Sequence, residues 1–147
     1  MRRPVDIGCG GGFATMGLAR MAGPGGRVVA ADLQPEMLKL VRDRAVREGH
    51  RQVETVTCSG RSPGLEGTFD FALMMYVAHE VEALESFLSE VRDALTPGGV
   101  LYLAEPRLIV SGKRFEATVD LAKRVGLVEV ARPRMALSRA CVLERGS

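Results

Sequence analysis

Short apolar runs alternate with amphipathic stretches from the first residues of this chain. Pro4 to Ile7 reads as a short strand that enters a glycine-rich loop. Phe13 to Ala22 carries apolar residues at helical spacing (Phe13, Met16, Leu18, Ala19, Ala22), and Gly23-Pro24-Gly25-Gly26 stops it. Arg27 to Ala31 is an apolar run of the kind found in buried parallel strands. Pro35 suits a first helical turn, and Glu36 to Glu48 continues with Met37, Leu38, Val41 and Ala45 on one face until Gly49. Gln52 to Thr57 predicts a third strand, Ser59 to Thr68 a polar loop, and Phe69 to Met75 an apolar strand. Ala83 to Leu95 predicts a helix with Leu84, Phe87, Leu88, Val91 and Leu95 inward. Thr96-Pro97-Gly98-Gly99 fits a type II turn before a fifth strand, Val100 to Ala104. Ser111 suits the cap of a helix to about Val125, closed by Gly126. Leu127 to Arg132 and Ala140 to Glu144 predict two last strands, close enough in sequence for an antiparallel pair.

Strands separated by helices imply right-handed crossovers and a mainly parallel sheet. The chain has 147 residues, a length that suits one domain. Hydrophobic residues make up 46% and charged residues 26%, and the net charge is only +2. The basic residues are scattered among acidic ones, so nothing points to nucleic acid or an anionic membrane as partner. No apolar run approaches the length of a membrane span, and no apolar signal segment follows Met1. Cys9, Cys58 and Cys141 have neither a disulfide framework nor metal-ligand spacing, so no metal is expected. The expected setting is a cytoplasmic protein with reduced thiols.

Candidate chemistry begins at Asp6-Ile7-Gly8-Cys9-Gly10-Gly11-Gly12. Glycines 8, 10 and 12 follow a strand and open a helix, so the backbone can turn sharply and lie close to a ligand. Such a loop sits where ligands bind in open α/β sheets. Asp32 ends the second strand, where its carboxylate can accept hydrogen bonds from both ribose hydroxyls of an adenosine-containing cofactor. The dinucleotide fingerprint places its third glycine three residues after the second, where this chain has the bulky Phe13. Asp6, two residues before the first glycine, is unfavourable beside a pyrophosphate and favourable beside a cofactor carrying ammonium and sulfonium charges.

Together these stretches resemble the class I S-adenosylmethionine-dependent methyltransferases, small-molecule type, similar to those of ubiquinone and menaquinone biosynthesis. Asp6 to Gly12 resembles their first motif and Val28-Val29-Ala30-Ala31-Asp32 their second. Thr68-Phe69-Asp70-Phe71-Ala72 resembles their fourth strand, and Leu95-Thr96-Pro97-Gly98-Gly99-Val100-Leu101 the turn into the fifth. The resemblance implies an α/β, Rossmann-like, doubly wound sheet of seven strands, order 3-2-1-4-5-7-6, with strand 7 antiparallel. It implies S-adenosylmethionine as cofactor, S-adenosylhomocysteine as product, and in-line methyl transfer to a small-molecule acceptor. Gly8, Gly10 and Gly12, with Asp6 and Cys9 in the same motif, would line the methionine part. Asp32 would hold the ribose and Leu33 flank the adenine. Cys58 or Ser59 takes the place of an Asp that many relatives carry after strand three. Met75 and Tyr76 would face the transferred methyl.

Relatives usually carry helices before the first strand that cover the cofactor, whereas this chain starts almost on that strand. The expectation is one domain over residues 1–147 lacking those cap helices, with a homodimer partner closing the open side, an open cleft, or a shortened chain as the alternatives. His79, beside Glu80, suits a general base; capping or packing of the following helix is the competing reading. Tyr76 suits an orienting role or a rim aromatic. Glu105 suits the acceptor pocket or a structural hydrogen bond, and Arg132 and Arg134 suit an anionic acceptor or a solvated strand end. A binding module without catalysis is the alternative function. A nicotinamide oxidoreductase is disfavoured by Phe13 and by the absence of a Tyr-Lys pair in one helix.

Overall fold

The computed structural model describes residues 1–146. Seven strands run in chain order: β1 (Pro4–Ile7), β2 (Val28–Asp32), β3 (Val53–Thr57), β4 (Phe69–Met75), β5 (Leu95–Pro106), β6 (Leu127–Ala131) and β7 (Ser138–Arg145). Four helices connect them: α1 (Phe13–Ala22), α2 (Pro35–Glu48), α3 (Leu84–Ala94) and α4 (Gly112–Arg124). The strands form one sheet in the order β3-β2-β1-β4-β5-β7-β6, as the resemblance implied. The first five pair in parallel, and β7 runs antiparallel to both β5 and β6.

Local chemistry explains the element ends. Pro35 occupies the first turn of α2, where the proline's missing N–H costs nothing, and Gly49 closes it in a left-handed conformation. The Ser111 hydroxyl accepts the Arg114 N–H at 3.1 Å and caps α4. Gly98 has φ +80, the value a type II turn demands at that position.

That turn does not precede β5 as expected but interrupts it. Phe69 lies opposite Leu95 and Phe71 opposite Val100, so Thr96 to Gly99 bulge out of one continuous strand. Two further features were not legible in the sequence. Phe13, counted among the apolar positions of α1, is 80% exposed and lies under the Arg44 guanidinium, 5.8 Å from the ring centroid. A 3-10 turn, Ala78–Glu80, was not anticipated between β4 and α3, because three residues carry no periodicity.

The larger core lies between the sheet and the α3–α4 layer. Ile7, Met74, Leu101, Leu103 and Leu143 meet Phe87, Leu88 and Val91 of α3 and Phe115 and Val119 of α4, all fully buried. Each such side chain contributes about 1.5–3 kcal/mol relative to exposure. On the other face α2 packs Leu38 and Val41 against Ala30 and Met16, while Leu18 and Ala19 of α1 pack against Val28 and Leu73. With helices on both faces, the free rim of the sheet is its end, where the carboxyl ends of β1, β2 and β4 open to solvent.

Candidate functional site

A cleft of about 270 Å³ opens at those strand ends. Of the residues singled out in the sequence, Gly8, Gly10, Asp32, Leu33, Cys58, Ser59 and Tyr76 line it. The loop after β1 is pinned to β2: the backbone N–H groups of Gly8 and Cys9 both donate to the Ala31 carbonyl, at 2.8 and 3.0 Å. Gly8 and Gly10 have φ of +75 and +53, a region that L side chains rarely adopt. The two glycines differ in what surrounds them. A Cβ on Gly8 would lie 2.7 Å from the Val77 side chain, whereas one on Gly10 would meet no protein atom within 4 Å. The space beside Gly10 is therefore open to a ligand.

Asp32 fixes this arrangement. Its Oδ2 accepts the Gly10 N–H at 3.0 Å, and its Oδ1 accepts the Gln34 N–H at 2.9 Å. One carboxylate thus joins the glycine loop to the start of α2. It is 9% exposed, and each oxygen retains a lone pair for a further donor. Leu33, 59% exposed, gives the cleft an apolar wall next to it. These features suit an adenosine moiety: a paired acceptor for two hydroxyls, an apolar surface for a base, and bare backbone beyond.

Asp6 and Cys9 lie beneath the loop rather than on the cleft. Asp6 is 2% exposed and accepts the Thr15 hydroxyl at 2.7 Å. Burial pushes its carboxyl up to about 6; the Thr15 bond opposes that rise and the Asp32 charge adds to it. Burial, with help from Asp6 and Asp32, pushes the Cys9 thiol up to about 12, so it is not a nucleophile near neutral pH. Gly12 faces α2, where a Cβ would lie 2.9 Å from Val41. Met75, expected to face the cleft, instead packs beside Leu73 and Leu18 on the α1 side, because successive strand residues face opposite sides.

Cys58 and Ser59 do stand after β3 as expected. The Cys58 N–H donates to the Asp32 carbonyl at 3.0 Å, and burial together with the Asp32 charge raises its thiol. The Ser59 hydroxyl accepts the N–H groups of Arg61 and Ser62 at 3.2 and 3.0 Å, so it is engaged in closing its own loop.

At the end of β4, Tyr76 is the one non-glycine residue with positive φ (65) among the described residues. That conformation costs of order 1–3 kcal/mol and is held from two sides. The Tyr76 N–H donates to the Ala104 carbonyl at 2.8 Å, and the phenol hydroxyl bonds Ser138 Oγ. His79 follows in the 3-10 turn and does not line the cleft. Its Nδ1 lies 3.0 Å from Glu105, whose Oε2 also accepts the His79 backbone N–H at 3.0 Å. Glu105, at the end of β5, is 1% exposed. A carboxylate can only accept, so Nδ1 carries a proton, and in the neutral ring Nε2 is the atom with the free lone pair. The Nε2 atom lies 3.7 Å from Glu80, which does line the cleft.

Sequence reasoning missed Gln34, Met37, Val77, Val81 and Phe87 as cleft residues, and Ser138 as the partner of Tyr76. Only the position of Gln34, directly after Asp32 and Leu33, carried a signal. Arg132, considered for an anionic acceptor, is committed elsewhere: its guanidinium holds Glu116 at 2.7 Å and Glu129 at 2.9 Å. No cluster of potential metal ligands occurs among the described residues, and no helix among them is long and apolar enough to cross a membrane.

Comparison with known proteins agrees with this geometry. A family model described as "Methyltransferase domain" matches residues 5–103. A demethylmenaquinone methyltransferase of Tropheryma whipplei (strain Twist) is 31% identical over 110 residues, 73% of this chain and 44% of that protein. A ubiquinone biosynthesis O-methyltransferase of Xanthomonas campestris pv. campestris (strain B100) is 30% identical over 106 residues, 69% of this chain and 42% of that protein. This chain therefore spans less than half the length of these curated relatives. Among solved structures, a SAM dependent methyltransferase from Aquifex aeolicus superposes with a TM-score of 0.85 at 21% identity, covering 97% of this chain and 81% of that one. At that identity the likeness establishes the fold.

Proposed function

The chain belongs to the methyltransferase-domain family, and on that premise we propose that it binds S-adenosylmethionine in the cleft at Gly8, Gly10 and Asp32 and transfers the methyl group to a small-molecule acceptor. The observation that carries the reading is the Asp32 carboxylate at the cleft wall, tied to the Gly10 N–H beside space that no protein atom fills. When bound, the cofactor supplies a methyl group on a positively charged sulfur, open to in-line displacement by a nucleophile.

The protein's part is placement, proton handling and exclusion of water. Asp32 accepts from the ribose hydroxyls with the lone pairs its backbone donors leave free. Leu33 and Met37 give the base an apolar surface. The bare backbone at Gly8 and Gly10 lets the amino-acid end lie against the loop. Asp6, buried below, offers a negative charge without occupying cofactor space. The strained Tyr76 places its ring at the rim between cleft and acceptor. Glu105 holds the Nδ1–H of His79, which leaves Nε2 as the atom that accepts an acceptor's proton.

Names of the curated relatives support a quinone-type small molecule as acceptor. So does an apolar rim in the segments next to the partners of Tyr76: Leu137 precedes Ser138, Leu108 and Ile109 follow β5, and they are 73%, 94% and 65% exposed. A homodimer that covers this rim belongs to the same reading. One observation favours the second reading, a binding module without catalysis: the His79 ring lies outside the cleft lining.

Calorimetric titration with S-adenosylmethionine, S-adenosylhomocysteine and NADH tests the proposal. Micromolar binding of the first two and none of NADH is expected. Binding of NADH alone would overturn it, and cofactor binding without turnover across a phenol, quinol and amine panel would favour the second reading.

A further inference from the structure

Beyond Tyr76, at the ends of β5 and β6 and the start of β7, lies a second cavity of about 210 Å³ walled by arginines. Arg107, Arg134 and Arg139 line it, and none of the three has a carboxylate within 4 Å among the described residues. The one acid in its wall, Glu116, is already matched by the two-point pair with Arg132. The cavity wall therefore carries net positive charge, with the nearest further acid, Glu105, opposite Arg139 in the β5–β7 ladder and hydrogen-bonded to His79.

Arg139 is half-buried, while Arg107 and Arg134 are exposed and tethered through the backbone beside it. Arg134 and Arg139 face each other across an antiparallel bridge. The Arg107 N–H donates to the Leu137 carbonyl at 2.9 Å, and its Nε donates to the Ser138 carbonyl at 3.2 Å. The Nε of Arg139 is buried with no hydrogen-bond partner among the described residues, a state that is unfavourable unless an acceptor fills it. The same guanidinium stands at the first turn of α4, with its Cζ 3.3 Å from where a Cβ on Gly112 would lie. A cation against the positive end of a helix is unfavourable, and an anion between them reverses the sign. Positive charge and an orphaned buried donor meet in one cavity, and the Arg139 guanidinium links it to the start of α4.

We propose that Arg107, Arg134 and Arg139 anchor an oxyanion, a carboxylate or phosphoryl group, that the quinone-type acceptor carries as a substituent. This rests on the methyltransferase reading above. Position supplies the link: Ser138 accepts Arg107 on its carbonyl and bonds Tyr76 with its hydroxyl, so one residue connects a wall arginine of this cavity to the rim tyrosine of the cofactor cleft. Planar guanidinium forks suit both oxyanions, and a fixed charge at one end of the acceptor orients its other end toward the cleft.

The full chain is titrated at low ionic strength with inorganic phosphate and with benzoate, using benzyl alcohol as the neutral control, while the arginine Nε–Hε resonances are followed. Saturable shifts at Arg107 and Arg139 with phosphate alone support a phosphoryl-bearing acceptor; with benzoate alone, a carboxylate-bearing one. Arg139→Gln and the exposed, fold-safe Arg107→Gln should each weaken that binding at least tenfold and leave S-adenosylhomocysteine affinity unchanged. Shifts no larger than sodium chloride gives at matched ionic strength, or equal binding by both variants, would overturn the proposal. Loss of oxyanion binding with S-adenosylhomocysteine binding intact removes this inference alone. Oxyanion binding without S-adenosylhomocysteine binding in the unaltered chain removes the cofactor reading instead.

Discussion

Glu105 grips His79 twice, with its carboxylate 3.0 Å from Nδ1 and 3.0 Å from the backbone nitrogen of the same residue. The pair joins the end of β5 to the turn after β4, and the carboxylate is 1% exposed. His79→Ala should therefore destabilise the fold by about 1–3 kcal/mol, because a buried acceptor loses a partner. Urea denaturation measures this. For acceptors that must lose a proton, kcat should fall about 10²-fold or more, the range for a missing general base. A stability loss with unchanged kcat would leave the histidine as packing only.

Asp32→Ala removes the acceptor proposed for the ribose and both backbone anchors that the carboxylate holds. S-adenosylmethionine affinity should drop by about 1.5–3 kcal/mol, the range for hydrogen bonds to a charged group. Calorimetry reads the change directly, and an unaltered dissociation constant would take Asp32 out of the site.

Gly8 and Gly10 should respond differently to substitution. Gly10→Val adds a side chain that meets no protein atom at its Cβ, so the fold pays only the backbone strain at φ +53, about 1–2 kcal/mol. Cofactor binding should be abolished, since that side chain stands in the proposed cofactor space. Gly8→Ala drives a Cβ to within 2.7 Å of Val77 and should lower the melting temperature as well. Thermal melts and titrations of the two variants separate the effects. Retained binding in Gly10→Val would mean that the loop does not face the ligand.

Asp6 should make stability fall as pH rises. Its carboxyl is raised from 3.8 to about 6 in the folded chain, so between those values the folded state holds more protons than the unfolded one. Its contribution is fully present below about pH 4 and is lost as pH passes through about 6, up to about 3 kcal/mol at roughly 1.4 kcal/mol per pH unit. Asp6→Asn keeps an acceptor for Thr15 and should flatten this slope. Denaturation at pH 4.5 and 7 checks it; an unchanged slope in the variant assigns the proton elsewhere.

The strand order followed from the family resemblance, and the glycine loop and Asp32 stood out as candidates because they rest on local features. A strand, a bare turn and a carboxylate at the end of the next strand are consecutive in the chain. The role of Met75 was not legible. Neighbours on a strand point to opposite faces, and only packing against Leu18 shows which face it took. The exposure of Phe13 was not legible for a related reason, since helical spacing names a stripe but not where the stripe ends.

By itself the sequence determined the order of elements, their caps and stops, and the glycine loop and carboxylate on which the proposed cofactor site rests. These follow from backbone preferences and from periodicity, which act over a few residues. Tertiary structure alone decided what meets across the sheet. Glu105 found His79 from 26 positions away, Ser138 found Tyr76 from 62, and Arg107 came beside Arg134 and Arg139. Such contacts are set by strand register and by the antiparallel return of β7, and no local preference encodes them.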